Sequence, residues 1–158
     1  MFVYAIGGLS GCHLKPAVTV GLVASRRFPL IEGIFYVVAQ IAGAFLARFI
    51  AGLGLVGNLG EYTSASSGAE FIGFGILMLT VAATTENKVS KSGSGIAVGG
   101  SLLAGLLLTK GVLNPAVAVA MAMGLVASPA VWATLLSGVA FGWLFSLFER
   151  ARPPKTEG

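Results

Sequence analysis

Long apolar stretches separated by short polar segments dominate the chain. Four of them approach the length of about 20 helical residues that crosses roughly 30 Å of membrane hydrocarbon. They cover residues 30–56, 69–85, 96–109 and 129–148. The third reaches that length only if several of residues 92–95 join its helix, and a further stretch over residues 1–9 is too short to cross. The pattern predicts an all-α, multi-pass membrane protein.

Two other apolar stretches, residues 16–24 and 115–125, are also too short to cross. Each begins with a Pro-Ala pair, and proline suits the first position of a helix because the N–H that it lacks would be unpaired there. Such segments are typical of half-helices that enter the membrane and stop. Because irregular backbone at membrane depth is tolerated only inside protein or beside a water-filled cavity, they indicate a pathway through the membrane.

The chain also repeats itself. The octapeptide KPAVTVGL, which begins at Lys15, recurs as NPAVAVAM, which begins 99 residues later at Asn114, and the same offset relates Gly43 to Gly142. Each copy runs from a half-helix into a full span. Since an odd number of crossings separates the copies, they face opposite ways and form an inverted repeat, as in many transporters and channels. We predict one domain over residues 1–158, with a partial first repeat (1–66) and a second repeat (67–158).

The composition excludes several classes of protein. Hydrophobic residues make up 56% of the chain and charged residues only 10%, against about 25% charged in a soluble domain. Cys12 is the only cysteine, so the chain holds no internal disulfide. The basic residues are dispersed and form no patch for nucleic acid. No nucleophile–base pair, metal-ligand cluster or phosphate-binding loop is visible, so we expect neither an enzyme nor a metal or cofactor.

The basic residues also indicate an orientation. If the loop before the first half-helix is cytoplasmic, seven of them lie inside and only Lys110 lies outside, as positive-inside topology requires. The seven are Arg26, Arg27, Lys88, Lys91, Arg150, Arg152 and Lys155. This predicts a cytoplasmic C-terminus in a plasma or inner membrane.

Two features lie within the spans themselves. Arg48 is expected to snorkel or to pack against a neighbouring subunit rather than to line a pore. Small residues spaced four apart favour close helix packing, and they occur as Gly43/Ala47, Gly95/Gly99 and Gly138/Gly142.

Three motifs carry a resemblance to a known family. The sequence GCHLKPAVT at residues 11–19 resembles the first Asn-Pro-Ala box of the aquaporin (major intrinsic protein) family, and LNPA at residues 113–116 resembles the second. Ala-Glu-Phe at residues 69–71 is similar to the sequence that starts the first helix of each family repeat. The resemblance implies an aquaporin-like inverted repeat in a right-handed bundle. It also implies a homotetramer in the lipid bilayer that conducts water or small neutral solutes such as glycerol.

The resemblance assigns roles to individual residues as well. Two helix N-termini, with their positive dipole ends, meet at a pore waist that neutral solutes cross and cations do not. The waist comprises Lys15, Pro16 and Ala17 with Asn114, Pro115 and Ala116. The selectivity filter comprises Leu106, Gly111 and Val117. Glu70 and His13 support the loops that carry the waist.

Three departures from the family pattern accompany these matches. Lys15 replaces the first asparagine, and it is compatible with snorkelling, deprotonation, plugging of the pore or a fixed charge that rejects cations. Val117 replaces an arginine, which leaves an apolar filter suited to glycerol-like solutes, ammonia or dissolved gases. The first acidic helix would start about 30 residues before Met1, so we expect one span and part of the next to be missing. The alternative function is a non-conducting or degenerate membrane protein of the same fold.

Overall fold

The computed structural model describes residues 1–54, 66–121 and 126–150, and those residues form seven α-helices and no strand. The helices are α1 (Phe2–Ser10), α2 (Pro16–Ala24), α3 (Leu30–Gly52), α4 (Ser67–Thr85), α5 (Lys91–Thr109), α6 (Pro115–Met121) and α7 (Pro129–Arg150). Four of them, α3, α4, α5 and α7, are long and apolar enough to cross a membrane. The predicted all-α membrane fold is confirmed.

The largest difference from the predicted helix boundaries occurs in α5, which begins at Lys91 rather than at residue 96. The side chain of Ser90 caps this helix, because its Oγ accepts a hydrogen bond from the N–H of Gly93 at 3.2 Å. The cap allows the serine- and glycine-rich residues 92–95 to join the helix, although glycine is a poor helix former.

Two predicted segments run past the described residues. α3 ends at Gly52, and Gly54 adopts the left-handed conformation (φ 72°) that commonly terminates a helix. The predicted end at residue 56 lies outside the described residues, as do residues 122–125 of the second half-helix. α4 starts two residues before its predicted start, and α7 ends two residues after its predicted end.

α2 packs mainly against α7, and glycines bring the two backbones close together. A Cβ added at Gly142 would lie 2.8 Å from the carbonyl oxygen of Gly21, and one added at Gly138 would overlap the carbonyl of Ala17. The predicted packing role of Gly138/Gly142 therefore agrees with the structure. Gly95 packs against the ring of Tyr4, whereas a Cβ at Gly43 or at Gly99 meets no atom within 4 Å. Those two glycines make no close packing contact within the described part of the chain.

We expect Gly142→Ala to lower the free energy of unfolding by about 1–3 kcal/mol, because the added methyl group would press on the backbone of α2. Gly43→Ala is the matched control, since Gly43 is the repeat counterpart of Gly142 and has open space around it. Thermal unfolding of both variants in detergent, followed by circular dichroism, measures the difference. Equal unfolding midpoints would contradict the close approach of α2 and α7.

Candidate functional site

The first turns of α2 and α6, which carry the two Pro-Ala boxes, lie next to each other. The Nζ of Lys15 donates a hydrogen bond to the carbonyl oxygen of Leu113 at 3.0 Å, across 98 residues of sequence. Pro16 and Pro115 are the first residues of the two helices, where a missing N–H carries no penalty. One side chain thus bridges the two short helices at their N-terminal ends.

The two helix starts are capped differently. The Oδ1 of Asn114 accepts a hydrogen bond from the N–H of Ala116 at 3.1 Å, as expected for an asparagine at a helix N-terminus. Lys15 occupies the equivalent position in an extended conformation and makes no side-chain cap, because an ammonium group has no acceptor. The first turn of α2 therefore keeps its positive end uncapped and adds a lysine beside it.

Glu70 holds the segment that leads into α6. This carboxylate is only 3% exposed. Its Oε2 accepts a hydrogen bond from the hydroxyl of Thr134 at 2.8 Å, and its Oε1 accepts a longer one from the N–H of Leu113 at 3.4 Å. A buried carboxylate is costly unless its oxygens are bonded, and both oxygens are bonded here.

Leu113 is the residue on which these interactions converge. It is fully buried and has a φ of 43°, in the left-handed region that few branched residues adopt. Its N–H faces Glu70, and its carbonyl oxygen faces Lys15. Unfavourable backbone conformations persist where the surroundings fix them from several sides. The negative and positive side chains thus fix the residue that precedes Asn114.

His13 lies in the loop between α1 and α2 and supports it through aromatic packing. It is 7% exposed, and its ring centroid lies 4.7 Å from that of Phe28 and 5.3 Å from that of Tyr36. The Nδ1 of the ring has no hydrogen-bond partner among the described residues. The carbonyl oxygen of His13 accepts a hydrogen bond from the side chain of Gln40, which also donates to the hydroxyl of Thr19 at 2.9 Å.

Tyr36 and Gln40 were not identified by the sequence analysis. Both lie in α3, and Tyr36 donates its hydroxyl hydrogen to the carbonyl oxygen of Ser10. They are polar residues four apart in a largely apolar span, so they share one helix face. This four-residue spacing is the feature of the sequence from which Tyr36 and Gln40 could have been predicted to act together.

A groove with a volume of about 610 Å³ opens beside the second box. Its lining comes from α1, the following loop, α3 and the start of α6, and comprises Ile6, Ser10, Cys12, His13, Leu14, Phe35, Tyr36, Ala39, Gln40, Gly43, Ala44, Asn114, Ala116 and Val117. Val117, predicted to belong to the filter, lies here. Leu106 and Gly111 are not part of this lining, and Leu106 is 37% exposed near the end of α5. The three predicted filter residues do not share this groove.

The groove corresponds to the position that α4 occupies in the second repeat. There α4 contacts Gly105, Thr109, Leu113, Thr134, Gly138 and Gly142. The residues 99 positions earlier are Ile6, Ser10, Leu14, Phe35, Ala39 and Gly43, and every one of them lines the groove. By the internal repeat, the groove is the place for a helix of the α4 type.

A second polar cluster joins the loop after α2 to the C-terminal ends of α4 and α7. Arg27, in the loop after α2, pairs with Glu86 at 2.7 Å and with Glu149 at 3.1 Å, and Lys88 pairs with Glu149 at 3.1 Å. The side chain of Arg27 is only 8% exposed. These ion pairs could not be predicted from the sequence, because the acidic partners of Arg27 and Lys88 lie about 60 residues or more away along the chain.

Comparison with known proteins agrees with this architecture. The sequence profile of the major intrinsic protein family matches residues 1–144. The chain is 30% identical to Nodulin-26 of Glycine max, over 99% of the chain and 64% of that protein. It is 37% identical to Aquaporin AqpM of Methanothermobacter marburgensis, over 72% of the chain and 54% of that protein. It is also 34% identical to Glycerol uptake facilitator protein-like 6 of Lactiplantibacillus plantarum, over 72% of the chain and 60% of that protein. The chain thus spans between about half and two thirds of the length of these relatives.

Proposed function

Since the chain belongs to the major intrinsic protein family, we propose that it forms a passive channel for water and small neutral solutes such as glycerol, with its pore waist between Lys15 and Asn114. The observation that carries this proposal is the hydrogen bond from Lys15 to Leu113, which joins the starts of α2 and α6. The relatives named for aquaporin and glycerol uptake suggest the solute class.

The electrostatics of the two helix starts support selection for neutral solutes. Each helix N-terminus carries a partial positive charge, and in the proposed waist the two N-termini lie side by side, joined by the bond from Lys15 to Leu113. A field of this sign opposes cations and protons, whereas a neutral solute with lone pairs accepts hydrogen bonds from the site. The amide of Asn114 and the protons of Lys15 that do not bond Leu113 would act as donors to a solute oxygen.

Of the roles compatible with Lys15, the geometry favours a constriction of the waist. A snorkelling lysine would direct its ammonium group to a membrane surface, but this one is bonded to the start of the other short helix. Glu70 lies on the far side of Leu113 and offsets part of the positive charge. We propose that the lysine side chain narrows the passage and adds to the rejection of cations.

The filter, the assembly and the orientation belong to the same proposal. Val117 leaves an apolar wall beside Asn114, and Leu106 and Gly111 complete the proposed filter from α5 and the loop after it. We propose a homotetramer in a plasma or inner membrane, with the C-terminus cytoplasmic. We propose that a helix of the α4 type covers the groove and closes the pore on that side.

Solute flux through reconstituted protein tests the proposal. The chain is inserted into liposomes, and shrinkage under water and glycerol gradients is followed by light scattering. We expect both permeabilities to exceed those of empty liposomes. Permeabilities equal to those of empty liposomes, with the protein shown to be inserted, would refute conduction by this chain.

That negative result would favour the second candidate function, a non-conducting membrane protein of the same fold. Two observations motivate this alternative. Lys15 crosses between the helix starts, and the groove beside Asn114 is open within the described residues.

A further inference from the structure

α3 carries three polar side chains that donate hydrogen bonds to other segments of the chain. Tyr36, Gln40 and Arg48 are spaced four and eight residues apart, so at 3.6 residues per turn they spread over about 120° around the helix. Tyr36 and Gln40 donate to backbone carbonyls around the start of α2. Arg48 donates instead to α6. α3 therefore contacts both short helices.

Arg48 contacts α6 at its far end, which is the end opposite to Asn114. Its Nη1 donates to the carbonyl oxygen of Ala120, and more weakly to that of Met121 at 3.4 Å. These carbonyls belong to the last described turn of α6, at the end opposite to Asn114. The position of Arg48 in an apolar span predicts snorkelling or packing against a neighbouring subunit, but in the structure its guanidinium group bonds another helix of the same chain.

The equivalent turn of α2 is satisfied differently. The repeat counterpart of Ala120 is Gly21, and its carbonyl oxygen accepts hydrogen bonds from the hydroxyl of Ser25 at 2.7 Å and from the N–H of Ser25 at 3.0 Å. The end of α2 is thus closed by a neighbouring residue of the same segment. The last described turn of α6 receives its donor from a helix more than 70 residues away in sequence.

We infer that Arg48 is a positioning residue, which holds α6 at its far end and so fixes the place of Asn114 and Val117 beside the waist. A cation at the carbonyl end of a helix is favourable because it opposes the negative end of the helix dipole. A seven-residue helix is only about 10 Å long, so a shift at one end moves the other. An arginine in a membrane span is costly unless paired, and these carbonyl oxygens provide its partners.

Hydrogen exchange measured by mass spectrometry on the whole protein in nanodiscs tests the contact without relying on conduction. We expect the amides of residues 116–121 to exchange about tenfold faster in Arg48→Met, because a charge-assisted hydrogen bond is lost. Arg48→Lys should lie between the wild type and Arg48→Met. Ser25→Ala is the matched control, which should speed exchange at the end of α2 and leave α6 unchanged.

Exchange in α6 that stays within about twofold of wild type in Arg48→Met would overturn the inference. If Arg48→Met also speeds exchange in α4 and α7, that variant affects the whole fold. The positioning role is then tested with Arg48→Lys. A selective increase in α6 in that variant supports positioning, and its absence overturns it.

The effect on the pore rests on the proposed function and is measured separately, as the ratio of glycerol to water permeability in liposomes. We expect Arg48→Met to change this ratio by at least about threefold, since Val117 and Asn114 move together with α6. Faster exchange in α6 with an unchanged ratio would overturn the positioning role. A wild type without flux would refute the channel, while the exchange result would still decide the contact.

Discussion

Glu70→Ala is expected to lower the free energy of unfolding by about 2–4 kcal/mol, because the substitution leaves a buried N–H without an acceptor and removes the charge that faces Lys15 across Leu113. Leu113 also loses one of the two contacts that hold its left-handed backbone. The unfolding of purified protein in mixed micelles, titrated with denaturant, measures the change.

Glu32→Ala is the matched control for this prediction. Glu32 is also in the first turn of a long helix, but it is exposed, so its removal should have little effect. Glu70→Gln should give an intermediate loss, since it keeps an oxygen that can accept from Leu113 and loses the charge. A loss for Glu70→Ala no larger than that for Glu32→Ala would show that the carboxylate does not hold the start of α6.

The structure also specifies how Glu70 and Lys15 depend on each other. Their side chains bond the N–H and the carbonyl oxygen of the same residue, Leu113. In a double-mutant cycle, residues that share a partner give interaction energies of about 0.5–3 kcal/mol. We expect the cycle of Glu70→Ala with Lys15→Met to fall in that range, and simple additivity would contradict the connection through Leu113.

The helices could be predicted well from the sequence because the signals are local. An apolar stretch of sufficient length predicts a span, and a proline at its start predicts where the helix begins, as at Pro16, Pro115 and Pro129. The apolar stretch alone begins five residues after the start of α5, because glycine and serine obscure the helical pattern there. The cap at Ser90, a single hydrogen bond, determines that boundary.

The candidate site could be predicted only in part. Lys15, Asn114 and Glu70 stand out because the repeat and a carboxylate in an apolar span are visible in the sequence. The contacts of Gln40, Arg48 and Arg27 join residues that are between 21 and 122 positions apart, and no local pattern specifies such a pairing. The place of Leu106 in a filter stays a prediction, because it follows from the resemblance and not from a motif at Leu106 itself.

The largest change in flux is expected from Lys15→Asn. An asparagine at this position can fold back and accept a hydrogen bond from the N–H of Ala17, as Asn114 does from Ala116. It would therefore cap α2 and withdraw from Leu113, which removes the lysine side chain from the proposed waist. We expect the water and glycerol permeabilities of liposomes that contain this variant to rise at least about tenfold, which corresponds to about 1.4 kcal/mol of barrier.

Two further variants separate the possible causes of such a rise. Lys91→Asn, a matched control at an exposed lysine, should leave both permeabilities unchanged. Lys15→Met removes the charge but retains a long side chain and cannot cap α2, so it should gain less flux than Lys15→Asn. Unchanged permeability in Lys15→Asn, with the protein inserted and folded, would rule out a constriction by Lys15. Equal gains in both variants would assign the barrier to the ammonium group rather than to the length of the side chain, because both variants lose its charge and its hydrogen bond to Leu113.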